Sequence, residues 1–243
     1  MEKKILITGS KGRIGLDVKK YFENFYKIIE LNRGDDLSLS MFKHINLLIH
    51  LAARTPKKER KDKLEDYITD NVEYTKKILS FASRGKVEKV ILPTSWSWKF
   101  KIGSYQYSKL LQEKIAEEYK KIGMNILILE LPEVINSDYN GIIRRIMGRL
   151  EKGVKTYVDS VNISTITTRE FCGVCREFME NGESSAFEFY KKSIRNFNLY
   201  DYIKEEVKKK FPNKLSLLKK GKEKTLMPII ENKIIIFPDF EYD

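Results

Sequence analysis

The chain has 243 residues, of which 42% are hydrophobic, and its 46 basic and 34 acidic residues give a formal net charge of +12. This length suits one α/β domain with a modest extension, and no second full domain is needed. No apolar stretch approaches the roughly 18 residues of a membrane span, and the start, Met1-Glu2-Lys3-Lys4, has no basic-then-apolar leader, so we expect a cytoplasmic protein without membrane contact.

The excess of basic residues suits a ligand that carries phosphate, and it also raises the alternative of nucleic-acid binding. The basic clusters are mixed with acidic residues or lack interleaved aromatic residues, which is typical of solvated surface. They occupy residues 57–63, 208–210 and 219–224. We therefore expect no nucleic-acid partner.

The first apolar run, Lys4-Ile5-Leu6-Ile7, predicts a buried strand that opens into the turn Thr8-Gly9-Ser10-Lys11-Gly12-Arg13-Ile14-Gly15. Each glycine has a separate task in a dinucleotide-binding turn: Gly9 permits the tight exit, Gly12 lets a pyrophosphate approach the backbone, and Gly15 lets the helix pack closely. The pyrophosphate would rest on the N–H groups of the helix that follows. The turn residues Lys11, Arg13 and Ile14 are therefore expected beside the cofactor.

Apolar residues at helical spacing predict that helix, and residues 26–31 are predicted as the second strand. The helical residues are Ile14, Val18, Tyr21, Phe22 and Phe25. At the tip of the second strand, where such folds bind the adenosine ribose, the chain has Asn32 and Arg33 and no carboxylate. A guanidinium there suits the 2′-phosphate, so we expect NADP(H) to be preferred, with NAD(H) as the alternative. In that alternative Arg33 is a solvated turn residue, and Asp35 or Asp36 binds the ribose.

Short apolar strands then alternate with amphipathic helices, which predicts an α/β fold with a doubly wound parallel sheet. The strand at 46–53 ends in Leu51-Ala52-Ala53, whose small alanines let the backbone pass close to a flat ring. The later predicted elements are helices over 67–83 and about 105–122, a strand over 89–92, and a sixth strand over 125–131.

Four residues form a candidate catalytic set: Thr94, Ser95, Tyr105 and Lys109. A phenol near a carbonyl can protonate the alkoxide that hydride transfer leaves, provided that its pKa of about 10 is lowered. Lys109 follows Tyr105 by one helical turn and would supply the cation that lowers this pKa. A hydroxyl of Thr94 or Ser95, at a strand end, would orient the substrate oxygen. The structural alternative for Tyr105 and Lys109 is an exposed pair on a helix.

Cys172 and Cys175 form a Cys-Gly-Val-Cys pattern inside a predicted helix, on the apolar face that includes Phe171 and Phe178. A redox motif should instead open a helix after a strand, and a zinc site needs more ligands than a chain with two histidines offers. Core packing is therefore the interpretation for both cysteines, and no metal site is expected.

Taken together, the motifs over residues 1–135 resemble the short-chain dehydrogenase/reductases, specifically their extended, nucleotide-sugar epimerase/dehydratase branch. The shared motifs are Thr8-Gly9-x-x-Gly12-x-x-Gly15, His50-Leu51-Ala52-Ala53, Asn71-Val72-x-x-Thr75, Thr94 or Ser95, and Tyr105-x-x-Ser108-Lys109 with Glu113 after it. Residues 36–39 and 94–98 are most similar to the dTDP-4-dehydrorhamnose reductase group.

The resemblance implies a Rossmann core over residues 1–135 and a small, trimmed C-terminal substrate lobe over 136–243 that is interleaved with the end of the sheet. It also implies that Lys109 holds the nicotinamide ribose, and that Asn71, Leu131 and Pro132 lie at the cofactor. Packing or bridging of the backbone is an equal alternative for Asn71, and likewise for His50.

The choice between the two candidate hydroxyls stays open at this point. Alignment of Trp98 with the family's aromatic residue favours Thr94, whereas counting from the strand favours Ser95.

The resemblance further implies an NADP(H)-preferring oxidoreductase that acts on a nucleotide-activated sugar, with reduction of a keto group favoured over epimerisation. Arginines at 144, 145 and 149 would grip the sugar diphosphate, or form salt-bridged helix surface. The chain departs from the family at Glu130, Asn162 and Thr168, which puts the usual nucleotide-sugar pocket in doubt. The alternative from another class is a catalytically idle dinucleotide-binding protein that regulates a protein or RNA partner. Monomer and homodimer are both left open.

Overall fold

A computed structural model describes residues 2–56, 62–96, 103–135 and 141–223. Five parallel strands form the central sheet, in the order β2-β1-β3-β4-β5. They are β1 (Lys4–Thr8), β2 (Lys27–Leu31), β3 (Leu47–His50), β4 (Lys89–Ser95) and β5 (Ile126–Leu131). The predicted parallel α/β fold is confirmed, but the strand predicted as the sixth is the fifth. The chain runs from β2 to β3 through a 3₁₀ helix, Leu39–Phe42, and forms no further strand there.

Helices cover both faces of this sheet. They are α1 (Arg13–Phe22), α2 (Leu64–Tyr67), α3 (Tyr74–Arg84), α4 (Ser104–Lys121), α5 (Gly141–Glu151), α6 (Thr168–Asn181), α7 (Glu183–Ser193) and α8 (Leu199–Lys210). One apolar cluster joins α1, α6 and α7 to one face, and a second joins α3 and α4 to the other. Every residue of β3 is buried, as expected for a strand of a parallel sheet with both faces covered. The sheet is therefore doubly wound, as predicted.

Two predicted helices differ from the observed ones. Helix α1 ends at Phe22, where the backbone N–H groups of Phe25 and Tyr26 both donate to the Phe22 carbonyl, so Phe25 is 73% exposed rather than part of the apolar face. The helix expected over 67–83 contains a π-helix, Ile68–Glu73, between α2 and α3. Such π segments are frequent at functional sites.

The second half of the chain builds a smaller unit beside the sheet. A three-stranded sheet has the order β6-β8-β9, with β6 (Glu133–Ile135), β8 (Asn162–Thr167) and β9 (Arg195–Asn198). Strands β7 (Thr156–Ser160) and β10 (Leu218–Glu223) pair in parallel. These elements share an apolar cluster with α5 and α8. Helices α6 and α7, which lie after residue 135 in the chain, pack instead on the central sheet.

Cys172 and Cys175 are buried in α6 within the apolar cluster under the sheet, which confirms the packing interpretation. Burial raises the pKa of the Cys172 thiol to about 12, so the thiolate that redox chemistry requires is disfavoured.

The lysines of the cluster at 208–210 lie on α8 and pair with Glu205 or Glu206, as expected for surface. Residues 57–61 of the basic cluster at 57–63, and residues 224–243, lie outside the described residues. Within the described part of the chain, none of the helices combines the length and the apolar character that crossing a bilayer requires.

Candidate functional site

The glycine turn joins β1 to α1 and has the geometry that its sequence predicts. Gly9 has a φ of +70°, a conformation that other residues rarely adopt, and a Cβ there would lie 2.8 Å from the Ala52 backbone. A Cβ on Gly15 would lie 2.2 Å from the Gly9 carbonyl oxygen, so this glycine lets α1 pack against the turn itself. Both glycines are therefore required by contacts within the protein.

Gly12, the N-cap of α1, has a different environment. Its φ is −73°, which any residue adopts, and a Cβ would meet only the Gly9 carbonyl oxygen, at 3.1 Å. Gly12 is exposed, and no acidic side chain occupies the first turn of α1. The turn thus offers an open backbone surface at a helix N-terminus, which is a favourable place for a pyrophosphate. These residues fit a dinucleotide.

Replacing Gly12 with Val should abolish dinucleotide binding and leave the fold intact, because the added side chain fills the open surface and contacts little else. Gly15→Ala should instead lower the thermal unfolding temperature, since its Cβ has no room. Fluorescence titration with NADPH and thermal unfolding monitored by circular dichroism measure the two effects. Undiminished binding by Gly12→Val would remove the turn from the cofactor site.

The tip of β2 carries the residues predicted to select the cofactor. The Asn32 side chain, which is 9% exposed, accepts a hydrogen bond from the Lys11 backbone N–H (3.1 Å), so it braces the glycine turn, and the nearby Ser10 hydroxyl donates to the Glu30 carboxylate at 2.6 Å. Asp35 accepts a hydrogen bond from the Asn32 backbone N–H at 2.7 Å. Arg33 is exposed and forms an ion pair with Asp70 of the π-helix.

The predicted catalytic residues Ser95 and Tyr105 come together at the carboxyl end of β4. A side-chain hydrogen bond joins Ser95 to the phenol of Tyr105. The Tyr105 ring meets the ring of Tyr67 edge-on, with centroids 6.1 Å apart. Burial raises the pKa of Tyr105 to about 12, although the Ser95 hydrogen bond acts in the opposite direction. The phenol is therefore protonated at neutral pH.

Lys109 lies one turn further along α4 and is also buried. Its Nζ donates to the Pro93 carbonyl oxygen at 3.3 Å. Burial lowers the pKa of Lys109 to about 8, against the opposing effect of the Glu113 carboxylate. The expected lowering of the Tyr105 pKa is not found in this structure, because burial outweighs the effects of the Ser95 hydrogen bond and of the Arg13 charge.

Thr94 precedes Ser95 on β4 and is 4% exposed. Successive residues of a strand face opposite sides of the sheet, so the two hydroxyls diverge. The Thr94 hydroxyl has no hydrogen-bond partner among the described residues. Ser95 is thus the one of the two that contacts Tyr105, whereas Trp98, on which the alignment favouring Thr94 depends, lies outside the described residues.

A chain of buried hydrogen bonds connects the glycine turn to the helix that carries Tyr105. His50 bridges the hydroxyls of Thr8 (2.6 Å) and Thr75 (2.8 Å). Burial, followed by the charge of nearby Lys109, lowers the pKa of His50 to about 3, so the ring is neutral. Gln112 donates to both the Thr75 hydroxyl and the Asn71 carbonyl oxygen.

Asn71 continues this chain of buried hydrogen bonds. Its side chain donates to the Ser108 hydroxyl at 2.9 Å and accepts from the Arg54 backbone N–H at 2.6 Å, while Ser108 donates to the Tyr105 carbonyl oxygen at 2.7 Å. Asn71 and His50 therefore have the bridging role that the sequence left as an alternative to ligand contact.

The remaining predicted cofactor residues lie along the carboxyl edge of the sheet. The Ala52 backbone N–H donates to the Thr8 hydroxyl at 3.1 Å, and Leu51, Ala52 and Ala53 are half-buried just beyond β3. Leu131 ends β5 and is buried, as is Pro132. The small side chains of Ala52 and Ala53 thus border the Gly9 turn.

Glu133 is a residue of this site that the sequence did not single out. It lies two residues after Leu131, which pairs with Ser95, and its carboxylate accepts a hydrogen bond from the Ile142 backbone N–H at 3.2 Å. Burial raises the pKa of Glu133, against the effects of that hydrogen bond and of Arg13 and Arg145. The sequence signal that points to Glu133 is a carboxylate two residues after the end of β5, the strand whose last residue pairs with Ser95.

No family model and no curated protein sequence matches the chain. Among solved structures, it is similar to a UDP-glucuronic acid 4-epimerase from Bacillus cereus in complex with NAD, with a TM-score of 0.72 and 15% identity over 91% of this chain and 88% of that one. It is also similar to a UDP-N-acetylglucosamine 4-epimerase from Methanobrevibacter ruminantium M1, with a TM-score of 0.74 and 14% identity over 98% and 93% of the two chains.

The enzyme WbmG from Bordetella bronchiseptica, in complex with NAD, gives a TM-score of 0.69 at 13% identity over 86% and 78%. Identities this low establish the fold alone. The expected Rossmann-type architecture is therefore confirmed: the chain has the fold of the nucleotide-sugar epimerases.

Proposed function

We propose that this chain is an NAD(P)-dependent oxidoreductase of the epimerase/dehydratase type that acts on a nucleotide-linked sugar. The observation that carries the proposal is the hydrogen bond between Ser95 and the protonated Tyr105, at the sheet edge bordered by the glycine turn. Similar structures that contain NAD, and in one case UDP-glucuronic acid with NAD, support this class of cofactor and substrate.

The side chains divide the chemistry between them. A bound dinucleotide supplies or accepts the hydride. When substrate binds, Tyr105 and Ser95 each donate their one hydroxyl proton to the oxygen that becomes an alkoxide, in place of the hydrogen bond between them. Lys109, anchored to the Pro93 carbonyl at 3.3 Å, provides a positive charge beside the nicotinamide ribose. Thr94, buried on the other side of the strand, has no part in the reaction.

Reduction of a keto-sugar is the favoured direction. A phenol with a pKa of about 12 is an acid at neutral pH, and an acid is what a newly formed alkoxide needs. Oxidation of a sugar alcohol, which begins an epimerisation, needs Tyr105 as a base instead. Protonated Tyr105 is the form that this reductive step requires.

Epimerisation is the second candidate, because the similar structures named above include two 4-epimerases. The two activities differ in what happens to the cofactor. A reductase consumes NADPH in proportion to product, which lowers the absorbance of the reduced nicotinamide. An epimerase interconverts two sugars without net change in that absorbance.

NADP(H) is the proposed cofactor because two exposed cations lie near the tip of β2. Lys11 and Arg33 are exposed there, and Arg33 can turn its guanidinium from Asp70 to a 2′-phosphate. Asp70 stays neutralised in that event, since it also accepts a hydrogen bond from Arg54 Nε at 2.6 Å. Arg13 contributes less to this choice, because its charge acts on Tyr105 and Glu133.

Arg33→Ala should weaken NADPH binding by about tenfold or more, the usual worth of a charge-assisted hydrogen bond, and leave NADH binding unchanged. Titration of both cofactors against the intrinsic fluorescence of the protein measures this, with Lys43→Ala as an exposed cationic control. An equal loss for NADPH and NADH would contradict the phosphate assignment.

The first test of the whole proposal is the same titration on the wild-type protein, followed by assays with UDP-linked sugars and their keto derivatives. Tight NADPH binding and turnover of a nucleotide-linked sugar support the oxidoreductase. Failure to bind either dinucleotide would overturn it.

A further inference from the structure

The carboxylate of Glu133 lies near the candidate catalytic residues and is not used by the proposed chemistry. Its position follows from the strand register: Ser95 pairs with Leu131, and Glu133 follows Leu131 by two residues across Pro132. The carboxyl ends of β4 and β5 therefore bring Glu133 next to Ser95 and Tyr105. Its charge raises the pKa of Tyr105, which agrees with this proximity.

The orientation of Glu133 is fixed from the lobe side. Its Oε1 accepts the Ile142 backbone N–H at 3.2 Å, in the first turn of α5, and Glu133 pairs with Thr165 in the lobe sheet. One oxygen of the half-buried carboxylate is thus occupied by the protein. The other oxygen retains acceptor capacity, since a carboxylate has about four lone-pair sites.

Two arginines lie near Glu133, and both are exposed: Arg13 on the glycine turn and Arg145 on α5. The carboxylate offsets part of their positive charge at the point where the sugar must meet Tyr105. Without Glu133 this region would attract an anionic sugar.

We propose that Glu133 is a specificity-determining residue, which accepts a hydrogen bond from a hydroxyl or amino group beside the reacting carbon and disfavours sugars that carry a carboxylate. The substituents next to the reacting carbon lie within a few bonds of the atom that Tyr105 protonates, so they fall within reach of Glu133. The preferred substrate class is a neutral or amino sugar rather than a uronic acid. This inference rests on the proposed function.

The test compares binding of UDP-glucose and UDP-glucuronic acid, by calorimetry, to protein saturated with dinucleotide. Wild type should prefer UDP-glucose, and Glu133→Gln should reduce that preference by about tenfold or more, because loss of the carboxylate removes the repulsion and exposes the charge of Arg13 and Arg145. Gln keeps an acceptor for the Ile142 N–H, so the unfolding temperature and the dinucleotide affinity should not change.

Two further variants complete the test. Glu133→Asp keeps the charge and should keep the preference for UDP-glucose, and Glu118→Gln removes an exposed carboxylate of α4 as a control. An unchanged preference in Glu133→Gln would overturn the inference and leave Glu133 as a cap for α5, with the proposed function intact. If wild type binds dinucleotide but neither UDP-sugar, the proposed substrate class fails and the inference fails with it.

Discussion

Tyr105→Phe is expected to lower kcat by about 10²–10⁴-fold, the usual contribution of a general acid, and to leave dinucleotide affinity nearly unchanged. The substitution removes only the hydroxyl that Ser95 contacts and keeps the ring that packs edge-on against Tyr67. A loss of kcat without a loss of binding is the mark of an interaction made in the transition state. The measurement is turnover of the sugar nucleotide that wild type converts, with cofactor binding titrated in parallel.

Tyr107→Phe is the matched control for this variant. Tyr107 lies two residues further along α4 and packs with the apolar cluster of α3 and α4, away from Ser95. Its variant should keep wild-type kcat. Turnover that survives in Tyr105→Phe would mean that another group supplies the proton.

The buried imidazole of His50 is expected to make the fold sensitive to acid. Its pKa of about 3 in the folded protein lies below the ordinary value of 6.5, so between these two values the unfolded chain binds a proton that the folded chain does not. Stability from His50 is therefore complete above pH 6.5 and is lost as the pH falls. Between pH 7 and pH 5 the loss should reach about 2 kcal/mol in the free energy of unfolding, at about 1.4 kcal/mol for each pH unit.

The measurement is chemical denaturation of wild type and His50→Gln at several pH values. Gln offers a donor and an acceptor for Thr8 and Thr75 but does not titrate, so the difference between the two proteins isolates the imidazole. His44→Asn, at an exposed position with a φ of 59°, controls for loss of a histidine. Parallel pH profiles for wild type and His50→Gln would show that His50 does not carry this sensitivity.

The first βαβ unit could be predicted from sequence because its signals are local. Gly9, Gly12 and Gly15 fall within seven residues, and strand and helix periodicities flank them. The end of α1 was missed, because the helical spacing continues to Phe25 while the backbone turns away at Phe22. The five strands named from the sequence are all present, and only the numbering of the last as the sixth was wrong.

The parts of the site that belong to a short sequence motif could be predicted, whereas contacts between residues far apart in the sequence could not. Tyr105 and Lys109 follow from spacing on one helix. The pairing of Thr8 with His50 spans 42 positions, and that of Asn71 with Ser108 spans 37, so only the packed sheet shows them. The raised pKa of Tyr105 was likewise beyond the sequence, because burial sets its direction.

The buried hydrogen bonds that run from Thr8 through His50, Thr75, Gln112 and Asn71 to Ser108 have an evolutionary consequence. Each of these buried residues forms a hydrogen bond with a neighbour that is shielded from water. A buried donor or acceptor left without a partner lowers the free energy of unfolding by about 1–3 kcal/mol. A change that leaves a partner in this chain without its hydrogen bond is therefore costly unless a neighbouring position changes with it. Natural variants of this protein should show covariation among these positions, even where the surface of the chain has diverged.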